Sequence, residues 1–204
     1  NRGARAGKRC VLVGGEGLVR PANMRIGQGA VVRVAAITAL QSLRDKGKIQ
    51  SGQKVLINGA SGGVGTFAVQ IAKSFGTEVT GVCSTRNLDM VRSIGADHVI
   101  DYTKEDFTNG AQRYDLIFDL VGNHSFSERR RILHPNGICV MAGVGGAGWH
   151  DGMGMPLLCD RSESVRSRSV RDRSILYIAT FKEEDMTDLA TPLSSQQLTP
   201  ANDS

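Results

Sequence analysis

A run of glycines between an apolar segment and an amphipathic segment constrains the fold of this chain more than any other feature. Residues 55–65 read VLINGASGGVG, and apolar residues at helical spacing follow them. Glycine permits positive φ at such a turn and lets an anionic ligand reach the backbone N–H groups. The segment therefore predicts a strand, a tight loop and a helix whose N-terminus binds a phosphate group.

The centre of the chain alternates between short apolar runs and segments with helical periodicity. We predict strands over residues 54–58, 78–83, 98–101, 114–121, 137–142 and 175–179, and helices over residues 35–46, 64–75, 88–94, 125–133 and 183–190. Such alternation is typical of βαβ units with right-handed crossovers, which place helices on both faces of a parallel sheet. The predicted fold class is α/β, a Rossmann doubly wound sheet with strand order 3-2-1-4-5-6.

The remaining segments lack this alternation and define the predicted domain organisation. Residues 1–34 form an irregular N-terminal remnant, residues 35–148 the dinucleotide-binding domain, residues 149–173 a basic Ser/Arg-rich insertion, and residues 174–204 a final strand and helix with a disordered tail. The formal net charge of +5 suits an anionic small ligand and is weak evidence for nucleic acid. The Ser/Arg-rich segment has no interleaved aromatic residue, so we expect no nucleic-acid partner.

Four cysteines and the hydropathy pattern bear on the location of the protein. None of the cysteines forms a CxxC pair, which favours reduced thiols in a cytoplasmic protein. We also expect no membrane span and no metal site, because apolar stretches are short and His and Cys lack ligand spacing.

The glycine loop lacks the strict GxGxxG string but fits its relaxed form. One register is Ala60-x-Gly62-x-x-Gly65, and a second, Gly63-x-Gly65-x-x-Ala68, also fits. A literal GxGxxG occurs at residues 143–148, but no helical period follows it, so we interpret it as a loop after the fifth strand. The absence of a Lys after Gly65 excludes a nucleoside-triphosphate loop of the Walker type.

The segment after the second strand predicts which form of the cofactor binds. An NAD-binding domain places an acidic residue there to accept the ribose hydroxyls. This chain has Cys83, Ser84, Thr85 and Arg86 instead. Two hydroxyls and a guanidinium suit a phosphate dianion, which favours NADPH over NADH. The alternative is that Ser84 or Thr85 caps the next helix and Arg86 is only solvated.

Four segments together resemble the medium-chain dehydrogenase/reductase superfamily, most closely its zinc-independent, quinone oxidoreductase-like branch. They are AAITALQSLRDKGKI at 35–49, VLINGASGGVGTFAVQIAKSFG at 55–76, SIGADHVIDY at 93–102 and YDLIFDLVGN at 114–123, within a resemblance that covers residues 21–148. The resemblance implies a pyrophosphate site, a 2′-phosphate site, a border to the nicotinamide ribose and a residue near the nicotinamide. The corresponding residues are Ala60, Ser61, Gly62, Gly63, Val64 and Gly65; Ser84, Arg86 and Tyr102; Val121, Gly122 and Gly143; and Thr38.

The same resemblance implies hydride transfer from NADPH to a quinone, an enone or a related carbonyl, by a homodimer or homotetramer. It implies no particular catalytic side chain. A short-chain dehydrogenase is disfavoured, because no Tyr in the chain has a Lys four residues later. Only a Gly/Arg-rich segment precedes Pro21, where the superfamily has a substrate domain, which suggests a fragment. A non-catalytic NADP(H)-binding module therefore remains the alternative.

Overall fold

The computed structural model describes residues 34–142 and the backbone of residues 174–177. Helix α1 covers residues 34–40 and continues as a π-helical segment, Gln41–Lys46. The other helices are α2 (Gly63–Ser74), α3 (Leu88–Ser93) and α4 (Phe126–Arg131). The strands are β1 (Lys54–Asn58), β2 (Glu78–Cys83), β3 (His98–Asp101), β4 (Tyr114–Asp119), β5 (Leu133–Ala142) and β6 (Ser174–Tyr177).

The six strands form one parallel sheet in the order β3-β2-β1-β4-β5-β6. This order confirms the predicted Rossmann fold class. The chain leaves β1 toward β2 and β3 and then returns to place β4 on the other side of β1. A crevice therefore opens at the carboxyl ends of β1 and β4, where ligands bind in sheets of this type.

Apolar residues cover both faces of the sheet, as a parallel sheet with helices on each side requires. In β1, Val55 and Ile57 belong to the larger apolar cluster, while Leu56 belongs to the smaller one. Side chains alternate between the faces of a strand, so the two clusters are the two core layers. Helices α1, α2 and α3 supply the larger layer, and Ile132 at the end of α4 belongs to the smaller one.

The connection between α4 and β5 differs from the prediction. We predicted a helix over 125–133 that Pro135 and Gly137 would terminate, but α4 ends at Arg131 and β5 begins at Leu133. Leu133 pairs with Tyr114, and the register then shifts so that Leu116 pairs with Ile138. This irregularity lets the strand accommodate Pro135, which has no N–H for a regular ladder. Strand β4 also ends earlier than predicted, at Asp119.

Several predictions fall outside the described residues. They are the N-terminal remnant, the loop at 143–148 with Gly143, the Ser/Arg-rich insertion, and the predicted helix at 183–190 with the tail. Strand β6 confirms the sixth predicted strand, although it begins one residue earlier. Within the described part of the chain, no helix has the length and apolar character needed to cross a membrane.

Candidate cofactor-binding site

The glycine loop joins β1 to α2 at the carboxyl edge of the sheet, as predicted. Gly59 has a φ of +87°, a conformation that favours glycine. The backbone N–H groups of Gly59 and Ala60 donate to the Val82 carbonyl at 3.2 and 3.0 Å. These bonds fix the loop against β2, so its position depends on the sheet and not on a ligand.

Helix α2 begins without any side-chain cap, because its N-cap residue is Gly62. The first N–H groups of a helix have no partner within the helix, and their partial positive charge attracts anions. Gly62 and Gly63 are exposed, and a Cβ atom added to Gly63 would meet nothing within 4 Å. The helix end is therefore open to a phosphate-sized anion.

Other residues of the loop serve its packing. Ala60 and Gly65 are buried, whereas Ser61 and Val64 are partly exposed. A Cβ on Gly65 would lie 2.1 Å from the Gly59 carbonyl oxygen and 2.9 Å from the Ala60 Cα. Glycine at this position permits the close approach between helix and loop that the third fingerprint glycine provides. The structure thus separates a packing pair, Ala60 and Gly65, from the exposed rim at Gly62 and Gly63.

The loop after β4 lies beside the glycine loop and is organised by Asp119. A Cβ on Gly59 would meet the Val121 side chain at 3.0 Å, so the two loops are in close proximity. Asp119 Oδ1 accepts hydrogen bonds from the Val121 N–H at 3.1 Å and the Gly122 N–H at 2.9 Å. Gly122 has a φ of +69°. Asp119 therefore holds the Val121–Gly122 turn beside the glycine loop, with the Val121 side chain 43% exposed.

A buried network holds Asp119 itself in place. Asn58 donates through Nδ2 to Asp119 Oδ1 at 2.9 Å and to Asn123 Oδ1 at 3.0 Å. Arg129 donates through Nη1 to Asp119 Oδ2 at 2.6 Å, and both residues are buried. Sequence patterns did not identify this network, because Arg129, Arg130 and Arg131 are consecutive and the run is typical of a solvated basic cluster. The position of Arg129 one turn into the helix that follows the strand-terminal Asp119 was the available signal.

The turn after β2 carries the residues predicted to bind a 2′-phosphate. Arg86 is exposed and Ser84 is partly exposed. Ser84 Oγ accepts a hydrogen bond from Asn87 Nδ2 at 3.3 Å, and no cap bond to Ser84 is present at this described turn. Thr85 donates its hydroxyl to Asp101 at 2.5 Å. Ser84 is the N-cap residue of the short turn Thr85–Asn87, as the alternative expects, but neither its side chain nor that of Thr85 accepts a helix N–H.

The turn after β3 lies next to the turn after β2. The Tyr102 N–H donates to the Cys83 carbonyl at 3.1 Å, and the Tyr102 side chain is 57% exposed. Tyr102 is thus free to contact a ligand beside Ser84 and Arg86. Asp101, which the sequence analysis did not single out, ends β3 with a buried carboxyl group. The hydrogen bond from Thr85 is the main cause that lowers its pKa to about 2, with further hydrogen bonds from Thr103.

Thr38 and the nicotinamide border lie on the other half of the sheet. The π-helical end of α1 contacts β5 and β6, which places α1 over the strands beyond β4. The Thr38 hydroxyl donates to the Val34 carbonyl at 2.6 Å within the helix. The structure places Thr38 on the β4–β6 side, but its hydroxyl bonds the helix backbone. Gly143 lies outside the described residues.

The sequence profile of the family described as zinc-binding dehydrogenase matches residues 63–189 of the chain. Among the described residues, no group of three or more His, Cys, Asp or Glu side chains could hold a metal ion. Cys83 and Cys139 are buried in β2 and β5, two strands separated by β1 and β4. The described part of the chain therefore does not fit a zinc ion.

Known proteins resemble the chain over its central part. A trans-enoyl reductase, pgmF, of Aspergillus terreus is 46% identical over 105 residues, which cover 50% of this chain and 30% of that protein. The mitochondrial NAD(P)H oxidoreductase RTN4IP1 of Mus musculus is 40% identical over 119 residues, covering 55% of this chain and 30% of that protein. The chain thus spans about a third of the length of the curated relatives it matches.

Solved structures of other proteins share the fold of this chain. The quinone oxidoreductase from Coxiella burnetii superposes with a TM-score of 0.70 at 25% identity, over 89% of this chain and 53% of that one. The match to the family profile agrees with the strand order and with the glycine loop. The chain belongs to the zinc-binding dehydrogenase family, within the medium-chain dehydrogenase/reductase superfamily.

Proposed function

We propose that this chain binds NADP(H) and forms the cofactor half of an NADPH-dependent oxidoreductase that reduces a quinone or an enone. The observation that carries the proposal is the uncapped N-terminus of α2, with open space beside Gly63, at the carboxyl end of β1. The names of two relatives, a trans-enoyl reductase and an NAD(P)H oxidoreductase, support the same chemistry. When bound, NADPH supplies the hydride.

The glycine loop and the turns after β2 and β3 bind the phosphate groups of the cofactor, and the β4 side of the crevice binds its nicotinamide end. The loop from Ala60 to Gly65 holds the pyrophosphate at the helix N-terminus, where backbone N–H groups and the helix dipole offset its charge. Arg86 and Ser84 donate to the 2′-phosphate, and Tyr102 contacts it from the neighbouring turn. An Arg guanidinium suits a phosphate because its planar fork donates two parallel hydrogen bonds.

The β4 side of the crevice positions the nicotinamide end. Val121, Gly122 and Gly143 border the nicotinamide ribose, and Thr38 lies near the ring. Asp119 fixes the Val121–Gly122 turn through two backbone N–H groups, so this border is formed before a ligand arrives. The protein's part in hydride transfer is orientation and exclusion of water, which requires a rigid site of this kind.

Thermal titration of the whole 204-residue chain with NADPH and with NADH tests the proposal. A ligand at one hundred times its Kd stabilises the folded state by about 2.7 kcal/mol, which raises the melting temperature by several degrees. We expect a clear shift with NADPH and a smaller one with NADH. Equal shifts would contradict the 2′-phosphate site, and no shift with either would contradict cofactor binding.

Two variants separate the pyrophosphate site from the 2′-phosphate site. Gly63→Asp adds a carboxylate in open space at a helix N-terminus, where negative charge is favourable, so the chain folds normally. We expect it to abolish binding of both cofactors, because the carboxylate repels the pyrophosphate. Arg86→Asp should weaken NADPH and favour NADH. NADPH selectivity that survives Arg86→Asp would contradict the role of Arg86.

Turnover distinguishes the enzyme from the alternative of a non-catalytic binding module. NADPH oxidation is followed at its absorbance band in the presence of a benzoquinone or an enone. Reduction of either acceptor that is lost in Gly63→Asp supports the oxidoreductase. Tight NADPH binding without reduction of any acceptor would favour the binding module.

A further inference from the structure

An acidic residue stands beside the end of β2, although the sequence spacing places none there. Strands β2 and β3 pair in parallel, with Cys83 opposite Asp101. Asp101 therefore occupies the neighbouring strand end at the level where an NAD-binding domain presents its ribose-binding acid. Asp101 thus lies close to Ser84 and Arg86, the residues predicted to bind the 2′-phosphate, although a carboxylate and a phosphate repel each other.

Hydrogen bonds from two threonines occupy this carboxylate. Asp101 Oδ2 accepts from the Thr85 hydroxyl at 2.5 Å, and Asp101 Oδ1 accepts from the Thr103 N–H at 3.0 Å and hydroxyl at 2.7 Å. The ammonium of Lys104 lies 3.6 Å from Oδ2. Asp101 is only 5% exposed, so these partners also shield it from the crevice.

We propose that Asp101 is a ribose-binding acid masked by Thr85 and Thr103, and that this masking determines the preference for NADPH. The inference rests on the proposed function and names the residues that set cofactor specificity within it. Thr85 and Thr103 act as positioning residues, since they act through Asp101 and not by direct contact with the cofactor.

The chemistry of the two cofactors explains the effect. NADH has a 2′-hydroxyl that needs an acceptor, and a free carboxylate provides one. NADPH has a dianion there, which the negative charge of Asp101 repels; the hydroxyl dipoles of Thr85 and Thr103 and the ammonium of Lys104 offset that charge. Three of the four lone-pair positions of the Asp101 carboxylate accept hydrogen bonds, and Lys104 Nζ lies 3.6 Å from Oδ2, so Asp101 is a poor acceptor for NADH. Because Thr85 lies between Ser84 and Arg86, the same hydrogen bond also fixes the turn that carries both donors to the phosphate.

Removal of the two hydroxyls tests the inference directly. In Thr85→Val/Thr103→Val, the carboxylate becomes available to the ribose, and we expect NADH to bind about tenfold more tightly, as one hydrogen bond to a charged group provides. NADPH should bind more weakly, so the Kd for NADH divided by the Kd for NADPH falls further. Addition of Asp101→Asn to this variant should remove the gain in NADH affinity. Calorimetric titration of the whole chain with each cofactor, for the wild type and both variants, measures the six Kd values.

Two control variants exclude a merely structural effect. Thr85→Ser keeps the hydroxyl and should retain the wild-type ratio of Kd values. Thr108→Val removes an equivalent bond at the turn before β4, where Asp106 Oδ1 accepts from the Thr108 hydroxyl at 2.7 Å and its N–H at 2.8 Å. That turn contacts His124, which follows the Val121–Gly122 turn at the nicotinamide end that both cofactors share. We therefore expect stability to fall, and any effect on binding to act on both cofactors equally, so that the ratio of their Kd values does not change.

The outcomes separate this inference from the proposed function. A wild-type preference for NADPH that the double variant retains would overturn the masking of Asp101 and leave the proposed function intact. Equal wild-type affinities for the two cofactors would overturn both the NADPH preference and its explanation. A gain in NADH affinity that persists after Asp101→Asn would assign the effect to the turn and would also overturn the role of the acid.

Discussion

Gly65→Ala tests whether the glycine loop is built around one close backbone approach. The added Cβ would lie 2.1 Å from the Gly59 carbonyl oxygen, and 2.9 Å from both the Cα and the carbonyl carbon of Ala60. All three are backbone atoms that the β1 and β2 hydrogen bonds hold in place. The clash therefore cannot be relieved by rotation of a side chain, and α2 must move away from the loop by roughly 1 Å.

The expected cost follows from this geometry. Overpacking of a dense interior costs about 1–3 kcal/mol, and a backbone clash belongs at the upper end of that range. Alanine offsets this by up to about 1 kcal/mol, since it is a better helix former than glycine. We expect a net loss of about 2 kcal/mol in the free energy of unfolding. At about 4 °C per kcal/mol for a chain between 100 and 200 residues, the melting temperature falls by roughly 8 °C.

The assay is thermal and urea unfolding followed by circular dichroism, with Gly63→Ala as the matched control. Gly63 lies two residues earlier in the same helix, and its added Cβ meets nothing within 4 Å. Its melting temperature should stay level or rise slightly, because only the helix propensity changes. Equal stability of Gly65→Ala and Gly63→Ala would refute the close approach as the reason for glycine at position 65.

Two further predictions concern the carboxylates that end β3 and β4. Asp119→Ala leaves the buried guanidinium of Arg129 without its partner and should lower the free energy of unfolding by about 3–5 kcal/mol in urea. Asp89→Ala, which breaks an exposed pair with Arg92, should cost less than about 1 kcal/mol, and equal costs would contradict the burial argument. The folded state lowers the pKa of Asp101 from 3.8 to about 2. Ionised Asp101 therefore stabilises the folded state above pH 4, and this contribution is lost as pH falls toward 2. Urea midpoints from pH 2 to 6 should therefore show a steeper acid decline for the wild type than for Asp101→Asn, and parallel curves would contradict this assignment.

The sequence predicted the strand order because the signals for it are local. Each strand appears as a short apolar run, and each helix as a segment with apolar residues at helical spacing. Gly76, which follows the predicted helix over residues 64–75, has a φ of +73° and lies directly after the C-cap residue of α2. Given this alternation, the handedness of crossovers leaves few topologies, so the order of strands followed from local patterns alone.

The α4–β5 boundary was wrong because it depends on a contact that is distant in sequence. Leu133 joins β5 through its pairing with Tyr114 in β4, and this pairing competes with continuation of α4. Periodicity within residues 125–133 contains no information about that partner. Pro135 was interpreted as the end of a helix, whereas it occupies the irregular start of a strand, a position equally compatible with its missing N–H.

The site residues also divide into those with a local sequence signal and those whose roles depend on contacts that are distant in sequence. The glycine loop and the hydroxyls after β2 were found by their position relative to predicted elements. The acids were missed, because their roles arise from pairs such as Asn58 with Asp119 and Thr85 with Asp101, which are 61 and 16 residues apart. Spacing rules place a ribose-binding acid on β2 only. They cannot detect an acid that the sheet brings to the same edge from β3.

Asp101 and Asp119 suggest a common principle for the two ends of this crevice. Each aspartate terminates a strand, accepts a backbone N–H from the turn that follows it, and also binds a side chain from a different turn or helix. Each carboxylate therefore shapes the loop that follows its strand through hydrogen bonds within the protein. If Thr85→Val/Thr103→Val converts Asp101 from a loop-shaping acid into a ribose acceptor, then cofactor choice depends on how the acid is occupied as well as on whether it is present. A search for an acid in the sequence would miss that distinction, because it depends on the hydrogen-bond partners of the carboxylate.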